Sequence, residues 1–500
     1  MLLAELAASL PGAELRGDPH LSVTGISYDS RQVVSGDLFC CVRGLKDDGH
    51  QYVPDAVRRG AVAILANHPL ELPVAQLIAP DTREAMALVA AAFFGHPSRR
   101  LSMVGGTGTN GKTTTAHLIE AVLAEAGYRT GLVGTVFNKA GDQMEPAERT
   151  TPESLDLQRL LRRMVHAGVQ WVSMEVSSHA LEMHRVTGCE FDQAVFTNIT
   201  RDHFDFHSEF PRYLSAKARL FQDLGRTNHK AGPKTAILNA DDPQTPGLAS
   251  LTRARVVTYG LGPADVRAVD VHLEPLSSSF VVQAPGRVFQ VRLQLPGYFN
   301  VSNALAAAAA ALHAQVPPEV IAQALGKVTT IPGRYEVIDL GQDFTVIVDF
   351  AHNPDALANI LRIPPARPDG RKIVVFGAEW GKDRGKRPLM GEAAMRGADH
   401  CIITADNIYH EDPAEVAAEV ARGAAAAGKP AAYEVIIERR DAIARALDLA
   451  QPGDLVIIAG KGHETYQVMN GWKRPFDDRA VVRELLRQRL PAEPPRPRRL

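Results

Sequence analysis

Five hundred residues, 45% of them hydrophobic and 22% charged, describe a globular chain of about three domains at roughly 150 residues each. A formal net charge of −2 gives no electrostatic reason to expect nucleic acid or a membrane surface as partner. Cys40, Cys41, Cys189 and Cys401 form no C-x-x-C pair and no metal spacing, which predicts a reduced, cytoplasmic chain.

Met1-Leu2-Leu3-Ala4-Glu5 lacks a basic stretch and meets Glu5 too soon for a signal peptide. In the first domain, residues 1–98, short strands alternate with helices: strands at 23–28, 37–42 and 61–66, and a helix at 54–59. The polar cluster Tyr28-Asp29-Ser30-Arg31 sits at a strand end, where it serves as turn chemistry or as a binding edge. Residues 96–100 read as a linker into the second domain, residues 99–332.

There a short apolar strand, 101–104, runs into Gly106-Thr107-Gly108-Thr109-Asn110-Gly111-Lys112-Thr113, which fits G-x-x-x-x-G-K-[ST]. A helix follows over 114–126. Strand, glycine loop and helix together predict a phosphate cradle: backbone N–H groups and the helix N-terminus meet phosphate oxygens. In this pattern Lys112 reaches the β/γ-phosphates and the Thr113 hydroxyl ligates Mg²⁺, so ATP or a similar triphosphate is the expected ligand. The strand 171–176 carries Glu175 near its carboxyl end, where a Mg²⁺-binding acid belongs. Ser177-Ser178-His179 through Arg185 is dense in donors. A strand at 194–197 opens onto a segment with Asp202, His203, Asp205 and His207, a concentration that favours a site over four structural side chains. Lys217 lies on an amphipathic helix and, by residue physics alone, reads as a solvated lysine.

Residues 250–295, rich in β-branched side chains, predict a small antiparallel sheet. Asn300 and Asn303 open an Ala-rich helix whose apolar run, 304–314, is too short to span a bilayer. The two carboxamides suit a purine, and helix capping explains Asn303 equally well. In the third domain, 333–490, four apolar strands empty into polar loops at Asp349, Gly377, Asp406 and Gly460, the pattern of an open α/β sheet with a site along its carboxyl edge. The Pro/Arg-rich tail, 491–500, predicts disorder.

From Asp29-Ser30-Arg31 to Gly460-Lys461-Gly462-His463-Glu464, these motifs resemble in order the Mur ligases of peptidoglycan synthesis, and within them the UDP-N-acetylmuramoyl-tripeptide synthetase branch. The resemblance implies three α/β domains: an N-terminal uridine-site domain, a central P-loop ATPase-like domain with a mainly parallel sheet, and a Rossmann-like C-terminal domain. It implies a cytoplasmic monomer that uses ATP and Mg²⁺ to join a diamino acid to UDP-N-acetylmuramoyl-L-alanyl-D-glutamate through an acyl phosphate. By the same resemblance, Lys112, Glu175, His203 and Lys217 are catalytic. Thr113, Glu175, His203 and Lys217, the last as its carbamate, serve Mg²⁺. Asn300, Asn303, Arg334 and Asp349 join the loop 106–113 in holding ATP, with His352 nearby. Ser30, Thr150, Thr151, Ser177 and Arg185 hold the nucleotide-linked dipeptide, although Met183 replaces a glutamine frequent in the family.

Lys382, Asp406, Asn407, Gly460 and Glu464 match the amino-acid site. Members that add meso-diaminopimelate typically carry D-N-P-R, whose arginine pairs with the distal carboxylate; here the stretch is Asp406-Asn407-Ile408-Tyr409. Leaving that carboxylate unpaired costs several kcal/mol, so L-ornithine or L-lysine is expected, with bulky Trp380 favouring the shorter ornithine, and meso-diaminopimelate is the alternative. A folylpolyglutamate synthase-like ligase would lack the first domain, and an ATP-gated binding protein would leave the Asp406 and Glu464 loops without purpose.

Overall fold

The computed structural model describes residues 1–44, 47–226, 229–379, 383–428 and 433–489. Its described strands form three large sheets and one hairpin. The first sheet orders Glu14–Arg16, Ala75–Ile78, Ala63–Ala66, Asp37–Cys40 and Gly25–Ser27, parallel except at its first strand.

The central sheet has 11 strands, and Ser102–Thr107 lies within it between Trp171–Glu175 and Gln193–Phe196, all parallel. Alternation of side chains across the pleat explains its two cores. Met103, Ala194 and Phe196 face Leu157, Leu161 and Phe221, whereas Val104 and Val195 face Leu118, Val122 and the alanines of Tyr298–His313. The run of alanines has a packing reason: residues this small let the helix lie close against Lys112–Glu125.

One expectation is overturned by the strand pairing. The β-rich stretch 250–295 is no separate sheet, because Arg255–Gly260 pairs in parallel with Thr235–Asn239 and Val266–Leu273 continues the same sheet. Its antiparallel portion, Val266–Leu273, Ser278–Ala284 and Arg287–Leu293, extends one edge. Residues 96–100, read as the linker into the second domain, are ordered: Pro97–Arg100 is a 3₁₀ turn, with Pro97 and Ser98 buried and Ser98 accepting from Glu190 N at 3.1 Å.

The last sheet orders Glu336–Ile338, Thr345–Asp349, Leu455–Ala459, Lys372–Phe376, His400–Ile403 and Tyr433–Val435. Only Glu336–Ile338 is antiparallel to its neighbour. Among the described residues, no helix is long and apolar enough to cross a membrane.

Candidate active site

Strand register builds the centre of the site. Glu175 pairs with Gly106 and Phe196 with Thr107, so both neighbouring strands end beside the glycine loop. The loop is braced from one side: Thr109 N donates to Asn198 O at 2.8 Å, Asn110 N to Asn198 Oδ1 at 2.9 Å, and Thr197 Oγ1 to Asn110 O at 2.7 Å. On the other side Thr113 Oγ1 donates to Glu175 Oε2 at 2.8 Å, bringing hydroxyl and carboxylate together as expected. Gly111 has φ +84°, and a Cβ there would stand 2.4 Å from Asn303 Oδ1, so the loop's last turn requires glycine.

Sequence reasoning missed Thr135, whose N–H donates to Glu175 Oε1 at 2.7 Å and whose hydroxyl donates to Oε2 at 3.1 Å. Its signal was its place just past the buried strand Thr130–Val133. Among the described residues no group of three or more His, Cys, Asp or Glu can hold a metal ion alone. Thr113 and Glu175 nevertheless offer two hard oxygen donors. That is the usual protein share for Mg²⁺, which takes its remaining ligands from phosphates and water.

Lys112 and Lys217 share one carbonyl. Lys112 Nζ donates to Gly108 O and Thr109 O, each at 2.8 Å, and Lys217 Nζ donates to Gly108 O at 2.7 Å. Lys217 is fully buried beneath the Tyr213 ring at 4.4 Å, so the solvated-lysine reading is overturned. Burial, reinforced by the neighbouring Lys112 charge, holds its amine well below the usual lysine range. His203 lines the same cavity of about 630 Å³, its ring edge-on to His179 at 5.0 Å. That cavity also takes in Thr150, Ser177, Met183 and Arg185. Ser177 accepts from Ala180 N at 3.1 Å as the cap of Ser178–Glu182, and Thr151 Oγ1 donates to Glu175 O at 2.9 Å.

A second cavity, about 540 Å³, lies between the first and central sheets and is lined by Tyr28, Asp29, Gln32, Arg149 and Asp156. Ser30 is buried, whereas its neighbours Tyr28 and Asp29 reach that lining. Tyr28 Oη donates to Asp156 Oδ2 at 2.6 Å across the two domains.

A third cavity, about 110 Å³, is lined by Asn300, Asn303, Arg334, Asp349 and His352, bringing the expected ATP-side residues of two domains together. Arg334 lies over the Phe350 ring at 4.5 Å and donates through Nη2 to Thr113 Oγ1 at 3.1 Å. Asp349 accepts from Tyr335 N and Ala351 N, each at 2.7 Å, and burial raises its carboxyl above the usual range. Asp202 joins the two domains. It accepts from Asn353 Nδ2 at 3.2 Å and lies 3.6 Å from His352 Nε2 and 3.8 Å from Lys386 Nζ. Burial would raise its pKa, yet His352, His203 and Lys386 hold it well below the ordinary carboxylate value. Arg201 adds a two-pronged bridge to Asp383, at 2.7 and 3.0 Å. These cross-domain partners lie far apart in sequence, so no local pattern announced them.

In the last domain Asn407 Nδ2 and Lys461 Nζ both donate to Glu464 Oε2, at 2.9 and 2.7 Å. Against the pull of burial, Lys461 and Arg439 keep Asp406 below the usual range, whereas burial raises Glu464 despite Lys461. Gly460, at φ +115°, passes so close to Asp406 that a Cβ would lie 2.6 Å from Oδ2. Asp406, Asn407, Gly460 and Glu464 therefore converge, while Lys382 and Trp380 lie outside the described residues.

Comparison with known proteins adds the lineage. Three family profiles match in order: "Mur ligase family, catalytic domain" over residues 22–105, "Mur ligase middle domain" over 107–311, and "Mur ligase, glutamate ligase domain" over 333–462. The UDP-N-acetylmuramoyl-L-alanyl-D-glutamate--2,6-diaminopimelate ligase of Geobacillus thermodenitrificans is 45% identical over 98% of this chain and 100% of its own. The protein of the same name from Halalkalibacterium halodurans is 43% identical over 97% and 99%. A solved structure of a ligase of that name superposes with TM-score 0.68 at 32% identity, covering 98% of this chain and 99% of the other. MurF ligase from Thermotoga maritima in complex with ADP shares the fold, with TM-score 0.64 at 19% identity, over 94% and 99%. With three profiles in order and relatives this similar from end to end, the chain belongs to the Mur ligase family and is an ATP-dependent peptide ligase of peptidoglycan synthesis.

Proposed function

We propose that this ligase adds a diamino acid to the D-glutamyl residue of UDP-N-acetylmuramoyl-L-alanyl-D-glutamate. The observation that carries the reading is the run of cavities. The one beside Asp29 shares Arg149 and Glu153 with the one around Lys112, Glu175 and Lys217, so the two lie side by side, as a long nucleotide-linked substrate reaching the phosphate loop requires. A carboxylate oxygen of the D-glutamyl side chain takes the γ-phosphoryl group from ATP, giving ADP and an acyl phosphate. The amine attacks that carbonyl carbon, loses a proton, and the C–O bond to phosphate breaks. Lys112 and Arg334 balance charge that spreads over the phosphoryl oxygens, and Arg185 orients the dipeptide. Thr113 and Glu175, with His203, would hold Mg²⁺, which supplies positive charge to the phosphoryl oxygens. Contacts at Asp202 and Asp383 hold the second and third domains together over this site, the kind of closure that an acyl phosphate needs for protection from water.

Lys217 enters this scheme as a carbamate. Burial beside Lys112 holds its amine well below the usual lysine range and so favours the free base, whose lone pair attacks CO₂; loss of a proton then leaves an anionic oxygen ligand in place of an ammonium. Enzyme equilibrated with isotope-labelled bicarbonate should give a carbamate carbon resonance that Lys217→Arg abolishes along with activity. Active enzyme with a bare amine refutes the modification.

The activity named for the relatives supports meso-diaminopimelate better than the ornithine or lysine expected from the sequence. A diamine remains the second reading because of one feature of the sequence: Tyr409, next to the buried Ile408, occupies the position at which diaminopimelate-adding members carry the arginine for the distal carboxylate. Initial rates with diaminopimelate, ornithine and lysine side by side decide between them. If diaminopimelate is used best, the diamine reading falls. If a diamine is used best, Tyr409→Arg should shift preference towards diaminopimelate.

A further inference from the structure

Between the two large cavities lies a cluster that the scheme above leaves without a role for its central acid. Among the described residues, only Arg149 and Glu153 line both cavities. Glu153 occupies the residue before Ser154–His166, yet its side chain makes no capping bond to that helix. Its carboxylate instead meets three guanidiniums: Arg185 at 2.8 Å, Arg83 at 3.3 Å and Arg149 at 3.8 Å. Within this cluster, three cations less one carboxylate leave a formal surplus of two positive charges, while Asp29, Glu148 and Asp156 lie further along the first cavity's wall.

The three arginines come from different parts of the molecule. Arg83 opens the helix Thr82–Phe93 of the first domain, and its Nε also donates to Arg43 O at 3.0 Å. Arg149 lies in the segment before Glu153. Arg185 follows Ser178–Glu182 and donates through Nη1 to Thr151 O at 3.2 Å, while the Thr151 hydroxyl holds Glu175 O. Arg185 is buried, and its Nε has no hydrogen-bond partner. Like charges this close repel, and arginine side chains are long and rotamer-rich, so without a shared acid the three would part.

We propose that Glu153 is a positioning residue for the nucleotide-linked substrate: it gathers Arg83, Arg149 and Arg185 at the point where that substrate passes from one cavity to the other. The inference rests on the proposed substrate, whose diphosphate and carboxylates are the anions that match the surplus positive charge. The phosphate loop makes no contact with Glu153 among the bonds described, so the effect falls on one substrate and spares ATP.

The test is steady-state kinetics on the full chain carrying Glu153→Gln or Glu153→Asp, each substrate varied in turn. Calorimetric titration with UDP-N-acetylmuramoyl-L-alanyl-D-glutamate and thermal melting accompany it. Glu153→Gln should raise KM and Kd for that substrate about tenfold or more, leave KM for ATP and for the amino acid within about twofold, and be partly rescued by Glu153→Asp. Equal rises for all three substrates, or an unchanged KM for the nucleotide-linked one, overturn the proposal. Tighter binding overturns it too, since Glu153 would then compete with the substrate for the arginines. Should Glu153→Gln fail to fold, Arg83→Lys, which keeps the charge and loses the fork, must raise the same KM alone. A wild-type chain that does not ligate this substrate sinks the proposed function instead, whereas failure of the inference leaves wild-type ligation intact.

Discussion

Arg439 and Asp478 form an ion pair with both side chains 0% exposed, joined by bonds of 2.8 and 2.7 Å, and Arg439 Nη2 also donates to Ala459 O at 2.8 Å. Ala459 precedes Gly460, so this buried guanidinium supports the loop that presents Glu464. Arg439→Met would strand the Asp478 carboxylate in a dry interior and leave Ala459 O without that donor. Breaking such a pair costs about 3–5 kcal/mol, against a total domain stability of about 5–15. At roughly 2–4 °C per kcal/mol for a domain of this size, the transition of the C-terminal domain should fall by about 6–20 °C in scanning calorimetry. The double variant Arg439→Met/Asp478→Leu should recover most of the loss, because no charge is then buried alone. In both variants KM for the amino acid should rise more than KM for the nucleotide-linked substrate. A single variant melting within about 2 °C of wild type refutes the reasoning, as does a double variant no better than the single.

Other perturbations follow from the same geometry. Gly111→Ala would place a Cβ 2.4 Å from Asn303 Oδ1 at φ +84°, so KM for ATP should rise at least about tenfold while UDP-sugar binding by calorimetry stays near wild type. Tyr28→Phe removes the 2.6 Å bond to Asp156 beside the first cavity; a loss of about 1 kcal/mol should appear as a several-fold rise in KM for the nucleotide-linked substrate alone. His463 is pushed down to about 3, by burial first and then by Arg334, Arg479 and Lys461. The unfolded chain therefore binds the extra proton first, so this group's contribution is complete above about pH 6.5 and falls as pH drops towards 3, by up to about 1.4 kcal/mol per unit. The melting-temperature loss between pH 7 and pH 5 should be smaller in His463→Gln, and equal losses would show that this histidine is not responsible.

The loop 106–113, Glu175 at its strand end and the four strand-to-loop edges of the last domain were all legible in the sequence. Each is local: a motif, a strand and its polar terminus fall within a few residues, and backbone geometry determines what they can form. The Lys217 role came from resemblance alone, since helical periodicity cannot tell a lysine buried under Tyr213 from a solvated one. What only the tertiary structure decided depends on partners distant in the chain. Asp202 meets Asn353 across 151 positions, Arg201 meets Asp383 across 182, and Arg83 meets Glu153 across 70. Residues 250–295 joined the central sheet because strand pairing there is set by Thr235–Asn239, outside the stretch itself. Charge, burial and pairing are properties of three-dimensional neighbourhoods, and a one-dimensional pattern carries them only where neighbours in space are also neighbours in sequence.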